Sequence, residues 1–164
     1  MAYLKEATAC LLAFCMSWSA HSVVADEPVL AGAASVIDGD TIEIAGQRIR
    51  IMDVDAPERG QHCTAADRSL WPCGDAAADA LATVMHGKQV SCGTVGKPSR
   101  GLQLARCAAE GVDLANWLLA AGWAVPARNC KCEVARDLAR LAEAGGHGIW
   151  GSAFQLPWDW RVLR

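Results

Sequence analysis

Ile42, Ile44, Ile49 and Ile51 alternate with Thr41, Glu43, Arg48 and Arg50, and a glycine-bearing turn precedes each run, at Asp38-Gly39 and at Ala45-Gly46. Period-two alternation sends successive side chains to opposite faces of a pleated strand, and Asp-Gly is a strong short-range turn signal. The stretch from Ala33 to Val54 therefore reads as a meander of short strands with β-branched residues inside. Such a surface must be closed on itself or covered. Asp75 to His86 reads as an alanine-rich helix with Leu81, Val84 and Met85 on one side, ended by Gly87. Gln89 to Thr94 and Leu102 to Cys107 read as further strands. Asp113 can cap a helix running to Ala121 and stopped by Gly122, and Glu133 to Ala144 forms a third helix with Val134, Leu138 and Leu141 at helical spacing. The aromatic tail, Gly148-Ile-Trp150 and Pro157-Trp-Asp-Trp160, is expected to pack back on the body. The fold class is α+β, mainly β: about five strands with three interleaved helices, as in a small barrel capped by helices.

The chain has 164 residues, within the range of one domain. Its first stretch is set apart. An apolar run from Ala7 to Ala20 follows Lys5 and Glu6, and Val23-Val24-Ala25 places small or β-branched residues at the −3 and −1 positions of a cut. That is the layout of a secretory signal, residues 1–25, cleaved after Ala25. A membrane anchor competes, but the run falls short of the ~18–20 residues a span needs. A lipid-anchored Cys15 is disfavoured because Phe14 before it is not small. The expected product is a secreted or periplasmic domain over 26–164 with no stable membrane association.

Six cysteines remain in that domain: Cys63, Cys73, Cys92, Cys107, Cys130 and Cys132. An even count in an exported chain suggests disulfides, with many connectivities open. Zinc held by Cys130 and Cys132 with Cys63, Cys73 and His62 is the alternative, but the paired spacing of a zinc site does not recur. The net charge of −3 argues against a module that binds duplex nucleic acid by electrostatics alone. It argues less against an enzyme that recruits phosphate through a cation and a few arginines.

Asp40 stands at the start of one strand, Asp55 just past the end of a later one, and Glu58 three residues on. If those strands are neighbours, the carboxylates converge. A hard cation such as Ca²⁺ takes about six to eight oxygens, and two aspartates with a carbonyl leave room for water and a phosphate oxygen. The plainer reading is a turn at Asp38-Gly39-Asp40 and a loop exit at Asp55-Ala-Pro-Glu58. Arg50, opposite the isoleucines of its strand, and Arg100, in a Gly/Pro/Ser-rich stretch, carry guanidinium forks that match phosphate. Their plainer readings are a surface ion pair and a solvated loop charge, each worth ~0–1 kcal/mol.

Taken together, Val36-Ile-Asp-Gly-Asp-Thr41 and Arg50-Ile-Met-Asp-Val-Asp-Ala-Pro-Glu58 resemble the signature of the staphylococcal nuclease (thermonuclease) family. The likeness extends through Trp71-Pro-Cys-Gly74, Asp113-Leu-Ala-Asn-Trp117, Gly122-Trp123, Gly148-Ile-Trp150 and the Trp-rich tail, and the chain resembles the exported, cysteine-bearing bacterial branch. The resemblance implies a five-stranded OB-type barrel with three helices. It implies that Asp40, Asp55 and the carbonyl of Ala56 ligate Ca²⁺, with Asp38 nearby. It makes Glu58 the general base or the group that orders the attacking water, and Arg50 and Arg100 the phosphate-binding arginines. It further implies a monomer that cleaves DNA and RNA, single strands favoured, at the P–O5′ bond to leave 3′-phosphates.

One run departs from the family, which commonly carries Asp-x-Tyr-Gly-Arg where this chain has Gly96-Lys-Pro-Ser-Arg100. The arginine is kept and the tyrosine that could help hold a nucleotide is not; Arg106 is a nearby substitute, though its strand position suggests structure. Under this fold a Cys92–Cys107 bond would brace the Arg100 loop and a Cys63–Cys73 bond would close the loop after the site, while Cys130 and Cys132 have no settled partner. His62, His86 and His147 read as structural or exposed, and the tryptophans as packing. The competing function is a non-catalytic OB-type module that binds nucleic acid or protein. The presence of Asp40, Arg50, Asp55, Glu58 and Arg100 together favours the enzyme.

Overall fold

The computed structural model describes residues 30–95 and 101–163, so the signal read at 1–25 and Arg100 lie outside the described residues. The strands are β1 (Leu30–Gly32), β2 (Ala34–Asp38), β3 (Thr41–Ile44), β4 (Gln47–Ile51), β5 (Val54–Asp55), β6 (Cys63–Thr64), β7 (Leu70–Trp71), β8 (Val90–Thr94), β9 (Leu102–Ala109), β10 (Val112–Asp113) and β11 (Val125–Pro126). The helices are α1 (Cys73–Met85), α2 (Leu114–Ala120), α3 (Glu133–Ala144) and α4 (Pro157–Val162), with a 3₁₀ turn over Gly148–Gly151.

The isoleucine meander folds as its period demands. Ile42 lies opposite Ile49 across the β3–β4 hairpin, and Ile42, Ile44, Ile49 and Ile51 are all buried. Burying such a side chain is worth about 1.5–3 kcal/mol relative to leaving it in water. The main sheet runs β1-β8-β9-β4-β3-β2, with β10 added beside β9; β4 and β9 are parallel and the other pairs antiparallel. Its two end strands, β1 and β2, are consecutive stretches of chain parted by Ala33 alone. The same segment thus pairs with β8 through one half and with β3 through the other, and the sheet curls back on itself as in an OB-like fold. Among the described residues the main sheet has seven strands where about five were expected, because the break at Ala33 sets β1 apart and β10 is a short hairpin return on β9.

The helices close the core. Asp113 caps α2 by accepting the Asn116 N–H at 2.8 Å, and Leu114, Leu118 and Leu119 are buried. α3 spans the expected residues but buries a different stripe. Ala135, Ala139 and Ala142 face inward, while Val134 and Leu141 are 62% and 69% exposed and Leu138 is only partly covered. Both stripes have helical spacing; the alanine stripe lets α3 approach α2 closely, which the bulkier one would not. The tail packs back as expected. Trp71, Trp123, Trp150, Phe154 and Trp158 surround Cys63, Cys73, Val125 and Ile149 in a second core, and the tail adds a fourth helix, α4.

Candidate active site

Four short segments meet at one end of the β2–β4 sheet. The first is the β2–β3 turn, where Asp38 Oδ1 accepts the Asp40 N–H at 3.2 Å, as Asp does in turns. Gly39 lets this turn press against its neighbours: a Cβ there would stand 2.7 Å from Ala56 Cβ and 3.0 Å from Ala77 Cβ. Gly39→Ala is therefore expected to lower stability by about 1–3 kcal/mol through overpacking, read as a drop in the urea midpoint at unchanged m-value.

The second segment is β4. Thr41 lies opposite Arg50 in the hairpin, so the Arg50 side chain rises beside Asp40. Arg50 Nη2 donates to Asp40 Oδ2 at 2.7 Å and to Asp55 Oδ1 at 2.9 Å. One nitrogen thus joins two carboxylates that are only 2% and 5% exposed. The third segment is β5 with its exit. A tight turn at Met52-Asp53, with Asp53 in the left-handed region at φ 70°, frees the chain from the main sheet and lets β5 pair with β11. This delivers Asp55 to Arg50 and the Ala56 N–H to Asp40 Oδ2 at 3.1 Å.

Burial pushes the Asp40 carboxyl up to about 8; Arg50 opposes the shift and Asp38 adds to it. A further positive charge at this spot would favour the ionised form. The donor set fits a hard divalent cation, since Asp40 and Asp55 bring carboxylate oxygens to one small volume.

Glu58 is held from behind. Its N–H donates to Gln61 Oε1 at 3.2 Å, and its carbonyl accepts the Gln61 N–H at 2.8 Å. A Cβ on Gly74 would fall 1.8 Å from the Glu58 carbonyl oxygen, so only glycine at the start of α1 leaves room for this loop. The Cys63–Cys73 bond ties the loop's far end to α1, with Cα atoms 5.6 Å apart.

The fourth segment is one that sequence reasoning missed. Arg161, on α4, donates from Nη1 to Asp55 Oδ1 at 2.9 Å and from Nη2 to Asp55 Oδ2 at 2.7 Å, and Nη1 also bonds Glu58 Oε1. The Asp55 hydrogen bonds raise the guanidinium above its ordinary pKa, with burial working against them and the Glu58 bond adding. Gln61 was missed as well. It is fully buried and donates from Nε2 to the Gln155 carbonyl at 2.6 Å, linking the Glu58 loop to the tail. The one available signal for either was the Pro157 helix start, which says nothing of contacts more than ninety residues away.

The structure thus brings Asp40, Arg50, Asp55, Ala56 and Glu58 together; Arg100 lies outside the described residues. Arg106 belongs elsewhere, paired with Asp53 at 2.9 Å. The cysteines pair as Cys63–Cys73, Cys92–Cys107 and Cys130–Cys132, which divides the thiols considered for zinc into separate bonds. Asp53 gathers near Cys130 and Cys132 as well, but those sulfurs are bonded to each other. His62, His86 and His147 are exposed. Three such cysteine pairs point to an oxidising, extracytoplasmic environment, and no helix among the described residues is long and apolar enough to cross a membrane.

Over 132 residues the chain is 37% identical to the succinoglycan biosynthesis protein ExoI of Rhizobium meliloti (strain 1021), covering 79% of this chain and 69% of that one. It is 29% identical over 134 residues to proteins named uncharacterized endonuclease from Escherichia coli O157:H7 and from Escherichia coli, covering 77% of this chain and 80% of each. No protein-family profile matches it.

Proposed function

The chain belongs to the same family as the Rhizobium meliloti protein ExoI, and from that premise we propose that it is an exported, Ca²⁺-dependent phosphodiesterase of the staphylococcal-nuclease type acting on DNA and RNA. The observation that supports this reading is the meeting of Asp40, Arg50, Asp55 and Glu58, from three separate segments, in one hydrogen-bonded cluster that Arg161 completes. The endonuclease names of two relatives support it.

Asp40 and Asp55, with the Ala56 carbonyl, would hold the cation. Bound there, Ca²⁺ supplies Lewis-acid polarisation of a phosphate oxygen and a template for water. Glu58 orients that water and accepts its proton as the oxygen adds to phosphorus. The P–O5′ bond breaks, O5′ leaves and takes up a proton, and the 3′-phosphate remains on the other fragment. Arg50 binds a nonbridging oxygen and stabilises the charge that grows on it, and Arg100 is expected to do the same. Single-stranded DNA or RNA is the expected substrate and a monomer the expected state, as the resemblance of the sequence implies.

The test is digestion of heat-denatured DNA and of RNA with Ca²⁺ or with a chelator, with end-group analysis of the products. Cleavage to 3′-phosphates that stops on chelation is the expected result. Zero activity in both arms would overturn the enzyme in favour of a non-catalytic OB-type module. Activity that ignores the chelator would overturn the cation.

A further inference from the structure

Arg161 is not a loose tail residue. Pro157 is buried at the start of α4, Trp158 packs in the second aromatic core, and the fully buried Gln61 fastens the Gln155 carbonyl to the loop that carries Glu58. The helix and that loop are therefore built as one unit. From it the Arg161 guanidinium reaches both oxygens of Asp55 and one of Glu58. Arg50 reaches Asp55 from the sheet side and Arg161 from the tail side, so the two guanidiniums converge on the same oxygen, Asp55 Oδ1.

We propose that Arg161 is a substrate-binding residue of this site, the guanidinium that grips a nonbridging oxygen of the scissile phosphodiester. The inference rests on the phosphodiesterase reading above. A water oriented by Glu58 would lie against the carboxylate that Arg161 already touches. The phosphorus it attacks must stand about 3–3.5 Å from that water. A nonbridging oxygen of the same phosphate then falls within reach of Arg161, whose side chain is 35% exposed and open to the entering anion. The fork that now spans Asp55 matches phosphate geometry equally well. With a cation held by Asp55, the fork would be free to bind a phosphate oxygen beside it. Arg161 also stands on the scaffold of the second core, whereas the Gly96–Arg100 run departs from the family's pattern.

A purely structural clamp is the competing role. Asp55 keeps Arg50 when Arg161 is lost, so its charge is not orphaned, and stability and catalysis separate the two. The experiment compares wild type, Arg161→Gln and Arg161→Lys, each as the full chain. It follows cleavage of a short single-stranded oligodeoxynucleotide, Ca²⁺ binding by calorimetry, and oligonucleotide binding against salt in the Glu58→Gln background. Arg161→Gln is expected to lower kcat/KM roughly 10²-fold. It is also expected to flatten the log Kd against log salt slope by about 0.7, as loss of one phosphate contact does for a single strand. Arg161→Lys should fall between, keeping charge and losing the fork, with melting temperature near wild type in both and Ca²⁺ affinity no weaker than wild type, since the fork no longer competes for Asp55.

Wild-type cleavage with Arg161→Gln within about twofold of it overturns the inference alone. So does a variant with tighter Ca²⁺ binding and faster cleavage, which would make Arg161 a plug on the cation's ligands. An unchanged salt slope with a lowered melting temperature would make it a clamp, and overturns the inference too. An inactive wild type overturns the underlying reading together with it.

Discussion

Glu58→Gln is expected to lower kcat roughly 10²–10⁴-fold, the usual contribution of a positioned general base. The substitution keeps the size of the side chain and one acceptor oxygen for Arg161, but an amide cannot take the proton from the attacking water. The backbone at this position does not depend on the carboxylate. Its N–H and carbonyl are held by Gln61, and Gly74 leaves the space in which the carbonyl sits. The lost ion pair with Arg161 joins two partly exposed groups and is worth ~0–1 kcal/mol, so the melting temperature should stay close to wild type. Single-turnover cleavage of denatured DNA at saturating Ca²⁺, with a thermal melt beside it, measures both quantities. A rate within about tenfold of wild type would remove Glu58 from proton transfer and leave it, at most, a partner of Arg161.

What was legible in the sequence follows the range of the forces concerned. The isoleucine alternation and the two turns act over a few residues, and they predicted the β3–β4 hairpin and its four buried isoleucines, though not the burial of Thr41. The Asp113 cap and the Gly122 stop are equally local. The placing of Arg50 beside Asp40 follows from the short turn between their strands. Asp55 is different: it depends on the left-handed Asp53, which lifts β5 out of the sheet, and Asp-Val-Asp gives no sign of that pivot. The buried stripe of α3 was misread because apolar size suggests the valine and leucines, whereas close helix packing selects the alanines. Arg161 and Gln61 were illegible for a third reason. Arg161 acts through partners more than ninety residues distant, and Gln61 adds such a partner, the Gln155 carbonyl, to its local bonds with Glu58; only packing of the aromatic tail brings these together.

Arg50→Met is expected to do damage of a second kind, costing stability as well as rate. In the present arrangement a single nitrogen lies between two buried carboxylates. Without it Asp55 keeps Arg161, but Asp40 is left with Thr41, Asp38 and the Ala56 N–H, none of which carries positive charge. Breaking a buried pair by removing one partner typically costs about 3–5 kcal/mol. A cost at or below the lower end is expected here, because burial already favours the protonated Asp40 carboxyl, which leaves no orphaned charge. Loss of the phosphate donor should separately cut kcat by roughly 10²–10³-fold. Adding Asp40→Asn to Arg50→Met tells the two effects apart. The double variant no longer buries an uncompensated carboxyl, so denaturant titration in chelator should show it more stable than Arg50→Met alone, a coupling of about 0.5–3 kcal/mol. Its activity should not return, since both a cation ligand and the phosphate donor are gone. A double variant no more stable than the single would mean that Arg50 supports the fold by packing along β4 rather than by holding the two acids together.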